Sequence, residues 1–232
     1  MGRAFMNQSL IKKRFTRSLN TYNKTAVVQQ DMAEVLVDLI PADRNYNSIL
    51  EIGCGTGFLT KKVIERLDYH SYTANDVVEE CKKYIGTISD KIEFLGGDIC
   101  SIDLDKKYDL IVSNAVFQWF GNSESILAKL KKYLSSDGVI AFSSFGEKNF
   151  YELREIFNIG LEYSNMATPV NEDIIELHFE SLVEMLNHIR NTGVNAITNY
   201  HLTKGKIKEL EEQFIEKYGC IKLSYHPTYF II

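Results

Sequence analysis

Ile49-Leu50-Glu51-Ile52-Gly53-Cys54-Gly55-Thr56-Gly57 is the stretch on which the fold turns. An apolar, β-branched run reaches an acid and then enters a G-x-G-x-G loop. A segment with helical patterning, Phe58 to Leu67, follows. Strand, glycine turn and helix in this order make the first half of a βαβ unit. Glycines permit positive φ and let a ligand approach the backbone closely. The start of the helix offers unpaired N–H groups. Two ligands suit such a loop, a dinucleotide or S-adenosylmethionine (SAM).

Three details favour SAM. The spacing is G-x-G-x-G, whereas pyrophosphate binders use G-x-G-x-x-G. Glu51 stands just before the first glycine, where a carboxylate suits a cationic amino group and disfavours a pyrophosphate. Asp76 ends the next strand-like run, Tyr72-Thr73-Ala74-Asn75, in the place of a carboxylate that accepts both ribose hydroxyls.

Outward from the loop, strand and helix signals alternate. Strands are expected over Ser48–Ile52, Ser71–Asn75, Ile92–Leu95, Tyr108–Ser113 and Val139–Ser143. Helices are expected over Phe58–Leu67, Val77–Gly86 and Ser123–Leu134. Before them, Ser9 to Asn20 is basic and helical, and Val28, Met32, Leu36 and Leu39 recur at helical spacing up to Pro41. Alternation of this kind implies a parallel sheet covered on both faces, with ligands beyond the carboxyl ends of the strands. From Phe145 to Ile197 the rhythm stops. Lys148–Gly160 and Ile174–Arg190 read as helices of a lid inserted before the last strands, and Thr168-Pro169 breaks them. Ile221 to Ile232 reads as two strands with a His-Pro turn. The expected fold is α/β, a Rossmann-like class I methyltransferase fold. It has a seven-stranded, mostly parallel sheet, an antiparallel C-terminal hairpin and a helical lid. One domain, 1–232, is expected, with N-terminal helices over 1–41, a SAM-binding core over 42–144, the lid over 145–200 and a C-terminal helix and strands over 201–232.

Composition narrows the function. The chain has 232 residues, 45% of them hydrophobic, and a net charge of −5, so it has no overall basic footprint for nucleic acid. Cys54, Cys81, Cys100 and Cys220 form no C-x-x-C pair and read as reduced thiols of a cytoplasmic protein. No run approaches a membrane span, no signal peptide is visible, and Met6 offers a second start that makes the first residues dispensable. The histidines, at 70, 178, 188, 201 and 226, lack metal-ligand spacing, and no metal is expected.

Further positions complete a SAM pocket. Gly97-Asp98-Ile99 follows the third strand, where Asp98 would accept from the adenine amine and Ile99 would pack on the ring. Asn114 and Ala115 would line the methionine end, with Gln118-Trp119 as an apolar wall. The expected cofactor contacts are therefore Glu51, Gly53, Cys54, Gly55, Gly57, Asp76, Val77, Asp98, Ile99, Asn114 and Ala115. The N/D-P-P-Y/F tetrapeptide of nucleic-acid amine methylases is absent after the fourth strand.

Several stretches together resemble the malonyl-acyl carrier protein O-methyltransferases of biotin synthesis. Phe15-Thr16-Arg17-Ser18-Leu19-Asn20-Thr21-Tyr22 resembles that family's opening, and Val28-Gln29 follows it. The loop through Phe58-Leu59-Thr60 resembles its SAM loop, and Ser113-Asn114-Ala115-Val116-Phe117-Gln118-Trp119 its S-N-x-x-x-Q-W stretch. Glu152-Leu153-Arg154, Leu186 to Ala196 and Leu223-Ser224-Tyr225-His226 are similar as well. Asn75-Asp76-Val77 and Ser135-Ser136-Asp137-Gly138 depart from the family pattern without removing a reactive group. The resemblance implies methyl transfer from SAM to the free carboxylate of a malonyl thioester on acyl carrier protein. It also implies Arg154 as the residue that selects the carboxylate and Tyr22 as a hydroxyl beside it. Its partner would be an acidic carrier, for which Lys12, Lys13, Arg14 and Arg17, or Lys204, Lys206 and Lys208, are candidate contacts. The second group is balanced by Glu209, Glu211 and Glu212. Oligomeric state is left open, with a monomer as the default. The rival readings are a small-acid methyltransferase of the trans-aconitate type and a non-catalytic SAM-binding module.

Overall fold

The computed structural model describes residues 8–158, 168–192 and 202–232. Two helices, α1 (Gln8–Thr25) and α2 (Val27–Asp38), precede the first strand. Then β1 (Tyr46–Ile52), α3 (Phe58–Arg66), β2 (Tyr69–Asp76), α4 (Cys81–Ile88), β3 (Ile92–Gly96) and β4 (Tyr108–Ser113) alternate. A 3₁₀ turn at Phe117–Trp119, α5 (Ser123–Lys131) and β5 (Leu134–Phe145) complete the alternating part. Beyond it lie α6 (Tyr151–Phe157), β6 (Asn171–Glu172), β7 (Ile175–Phe179), α7 (Leu182–Asn191), α8 (Lys204–Tyr218), β8 (Ile221–Tyr225) and β9 (Pro227–Ile231).

Side chains alternate across a strand, and here the alternation builds two cores. Ile49, Leu110, Val112 and Ala141 pack under α2 and α3, with Met32, Leu36, Leu59 and Val63. Leu50, Ile111, Ile140 and Phe142 pack on the other face, with Ile126 and Leu130 of α5. Burying each of these side chains other than Ala141 stabilises the fold by about 1.5–3 kcal/mol. The main sheet has seven strands in the order β3-β2-β1-β4-β5-β9-β6. β1 to β5 run parallel, and β9 is antiparallel to both β5 and β6. The expected α/β fold with a mostly parallel seven-stranded sheet is therefore the observed one.

The C-terminal strands are joined differently from the expected turn. β8 pairs with β7 in a separate two-stranded sheet, while β9 joins the main sheet between β5 and β6. His226 alone lies between them, and it is pinned from several sides. Its N–H donates to Asn149 Oδ1 (3.2 Å), its carbonyl accepts from the Gly146 N–H (2.8 Å), and its Nδ1 accepts from the Lys148 N–H (3.2 Å).

Ile174–Arg190 is not one helix. Ile175, Leu177 and Phe179 are half-buried and alternate with exposed Glu176 and His178, which is strand periodicity. Ser181 then caps a new helix, accepting from the Glu184 N–H at 3.2 Å. The lid thus carries strands as well as helices. The helix expected over Val77–Gly86 starts four residues later, because Asp76 Oδ1 holds the Val78 N–H (2.8 Å) and turns the chain first. The helix expected over Lys148–Gly160 spans only Tyr151–Phe157, between left-handed Phe150 and Asn158. Gly160 and the stretch Gly193 to Ala196 lie outside the described residues. Among the described residues, no helix is long and apolar enough to cross a membrane.

Candidate active site at the carboxyl ends of the strands

One cavity opens where β1, β2, β3 and β4 end, roofed by α1 and the end of α7. Its cradle is backbone. The loop after β1 takes left-handed conformations at Gly53 (φ 71°), Gly55 (φ 52°) and Gly57 (φ 87°). A Cβ at Gly53 would meet Val116 Cγ2 at 2.3 Å, so no side chain fits there. The Gly53 and Cys54 N–H groups both donate to the Asn75 carbonyl, at 2.8 and 2.9 Å. That pair locks the loop to the end of β2.

Glu51 is buried at the cavity wall, 1% exposed. Its Oε2 accepts from the Thr60 hydroxyl (2.6 Å) and the Tyr72 hydroxyl (2.7 Å). Both bonds engage one oxygen, and the Thr60 N–H also faces the carboxylate. Burial pushes its carboxyl up to about 7, against the pull of those two hydroxyls, and the nearby Asp76 adds to the rise. Asp76 is buried too, and burial raises its carboxyl above the usual range. It accepts from the Gly55 N–H (2.9 Å) and the Val78 N–H (2.8 Å), one on each oxygen. The Cys81 thiol and the Val77 N–H also face this carboxylate.

The remaining lining comes from the loops after β3 and β4 and from the roof. Asp98 caps its own loop through the Cys100 N–H (2.9 Å), and Ile99 is buried behind it. Lys129 of α5 fastens this loop by donating to the Ile99 and Cys100 carbonyls, each at 3.0 Å. Asn114 lines the cavity, but its amide is tied to the Gln29 carbonyl (2.8 Å) and to the Ser143 hydroxyl (2.6 Å). Next to it Ala115 is held left-handed at φ 55°, a strained state for a residue with a Cβ. Three aromatic rings close the roof. Tyr22 stacks on Phe58 (5.5 Å between centroids) and meets the edge of Phe15 (5.1 Å). Burial, then the Asp76 and Cys81 charges, push the Tyr22 phenol far above its usual range, so its hydroxyl stays a donor.

Ten of the eleven expected cofactor residues line this cavity: Glu51, Gly53, Cys54, Gly55, Asp76, Val77, Asp98, Ile99, Asn114 and Ala115. Gly57 does not. It caps α3, where a Cβ would meet Ile88 Cδ1 at 2.2 Å. Tyr22 lines the cavity, and Arg154 stands outside its lining, on α6, with its guanidinium donating to the Glu147 carbonyl. Sequence reading missed Thr56, Phe15 and Thr192 as lining residues, and Gln29 as a polar one. Gln29 Oε1 and Thr56 Oγ1 are buried with no hydrogen-bond partner among the described residues. A buried polar atom without a partner is costly, and both of these line the cavity. With the glycine cradle and the buried Glu51 carboxylate, they fit a ligand as polar as SAM. Gln29 had a signal in the sequence, a polar residue beside Val28 on the buried stripe of its helix. Among the described residues no cluster of His, Cys, Asp and Glu could hold a metal.

A family model described as a methyltransferase domain matches residues 50–142, the span from the glycine loop to β5. A malonyl-acyl carrier protein O-methyltransferase of Chlorobium luteolum is 32% identical, over 96% of this chain and 94% of its own length. The enzyme of the same name from Calditerrivibrio nitroreducens is 34% identical, over 95% of each. Among solved structures, the YcgJ protein of Bacillus subtilis shares the fold, with a TM-score of 0.59 at 11% identity, over 87% of this chain and 96% of that one. With nearly its whole length matched at this identity, the chain belongs to the malonyl-acyl carrier protein O-methyltransferase family, SAM-dependent methyltransferases of the class I fold.

Proposed function

We propose that this enzyme methylates the free carboxylate of a malonyl thioester carried on acyl carrier protein, an early step of biotin synthesis. The observation that carries the reading is the near-full-length match to two enzymes of that name. Among the described residues, His188 is half-buried and His226 buried, and neither lines the cavity. A carboxylate is ionised at neutral pH and needs no base.

SAM supplies an electrophilic methyl on a sulfonium. Glu51 would hold its ammonium, and Asp76 its ribose hydroxyls. Gly53, Cys54 and Gly55 would offer the backbone face, Val77 and Ile99 would flank the adenine, and Asp98 would accept from its amine. Asn114 and Ala115 set the methionine end. The protein then has to place a carboxylate oxygen in line at roughly 3 Å, where positioning alone supplies several kcal/mol. Phe15, Tyr22, Phe58 and Trp119 keep water out of that space. A carboxylate there needs partners. Tyr22 donates its hydroxyl. Arg154 exchanges the Glu147 carbonyl for the carboxylate, as a bidentate donor.

The test compares two loaded carriers. With SAM and this enzyme, malonyl carrier gains one methyl by mass spectrometry, and acetyl carrier, which lacks a free carboxylate, gains none. Methylation of both would move the reaction to the carrier itself and sink the reading.

A further inference from the structure

The two basic groups of the sequence differ sharply in the structure. On α8, Lys206 pairs with Glu209 (2.7 Å), Lys208 with Glu212 (3.8 Å) and Lys217 with Glu155 of α6 (2.8 Å). Helix α1 holds Lys12, Lys13, Arg14, Arg17 and Lys24 and no acid, in a chain of net charge −5. Among the described residues, Lys12, Lys13, Arg17 and Lys24 enter no ion pair. Like charges at i,i+4, as at Lys13 and Arg17, destabilise a helix by roughly 0.2–0.5 kcal/mol a pair. An anionic partner would relieve that cost.

The helix also divides its faces. Phe15, Leu19 and Tyr22 recur at i, i+4, i+7 and form one stripe. Leu19 is buried, and Phe15 and Tyr22 line the cavity. Lys13, Arg17 and Lys24 recur at i, i+4, i+11 on the opposite stripe, and all three are exposed. Lys12 stands between the two stripes, exposed and yet part of the cavity lining, which makes it the rim. One helix thus roofs the cavity with its inner side and shows uncompensated positive charge with its outer side.

We infer that the outer face of α1 docks an acidic carrier protein, whose substrate-bearing arm enters the cavity past Lys12. The inference rests on the carrier-thioester reading above and adds the surface that recognises the carrier. Charge complementarity steers the encounter and weakens with salt. The surface is next to the mouth, so docking and delivery need no second site.

The experiment uses the full chain, Lys13→Glu/Arg17→Glu, and Lys204→Glu/Lys208→Glu as the control on α8. Each is assayed on malonyl carrier and on malonyl-N-acetylcysteamine, a thioester with no protein attached. The α1 variant is expected to raise KM for the carrier about tenfold, with kcat held. It should also flatten the fall of kcat/KM with salt. Its SAM affinity and its turnover of the small thioester should match the wild type, as should the α8 variant on both substrates. An unchanged KM for the carrier overturns the inference, even if RNA binding is lost, because the basic face then serves a nucleic acid. Equal loss on the small thioester also overturns it, since the defect is then in the fold. A wild type that turns over the small thioester but not the carrier defeats the carrier reading and the docking surface together. A wild type that uses the carrier while charge reversal changes nothing defeats the docking surface alone.

Discussion

The floor and the roof of the cavity are built by different means. The floor is backbone at the ends of adjacent parallel strands, with Glu51 and Asp76 fixed by hydrogen bonds from their immediate neighbours. The roof is a set of side chains drawn from distant parts of the chain, with Phe15 and Tyr22 from α1 and Thr192 from the end of α7. A further contact between distant segments lies outside the cavity lining. Buried Glu152 of α6 accepts from the Ser224 N–H (3.0 Å) and from its hydroxyl (2.5 Å) on β8. On the function proposed above, the floor would hold the cofactor and the roof would select what is methylated.

That division is open to attack at both ends. The largest effect is expected from Arg154→Ala, which removes the proposed partner of the acceptor carboxylate. It should cost about 3 kcal/mol in transition-state stabilisation, read as a loss of roughly a hundredfold in kcat/KM. SAM affinity by calorimetry should stay within twofold, about 0.4 kcal/mol. A matching loss of SAM affinity would erase the distinction between roof and floor.

Glu51→Gln strikes the floor. Loss of a charged hydrogen bond to the ammonium should weaken SAM by about 2 kcal/mol, roughly thirtyfold. The wild type adds a pH signature. Burial lifts the Glu51 carboxyl from its ordinary value to about 7. Its contribution to the stability of the ligand-free protein is therefore fully present below the ordinary carboxylate pKa and lost as pH rises through about 7. SAM affinity should move oppositely, rising with pH through that same window as the carboxylate forms. The Gln variant should show neither slope.

Ser224→Ala should have the smallest effect. It removes the hydroxyl from Glu152 and should lower stability by about 1 kcal/mol in denaturant unfolding, with SAM affinity unchanged. A loss of SAM binding in this variant would mean that the cap supports the floor after all.

The same contrast explains what could be read from the sequence. The floor was legible because its parts are local. Gly53, Gly55, Glu51 and Asp76 act within one βαβ unit, where spacing alone implies geometry. The alternating strands were legible for the same reason. Thr192 and Phe15 were not visible as neighbours of the cavity, because the pairing of α1 with α7 leaves no periodic trace. Ile175–Phe179 was misread as helix although its alternation was there. Its apolar residues fit both a short strand and a helix stripe, and only pairing with β8 decides between them. The C-terminal strands show the same limit. Two β-patterned runs flanking His226 imply a hairpin, until Asn149, Gly146 and Lys148 hold His226 and send β9 to a different sheet.

The most direct test of carboxylate methylation on a carrier is a competition. Malonyl-loaded carrier and trans-aconitate, at equal concentration, are offered together with isotope-labelled SAM, and the products are separated by mass spectrometry. The label is expected on the malonyl carrier, as a methyl ester released by an esterase. Label on trans-aconitate, with the carrier unmodified, would contradict it.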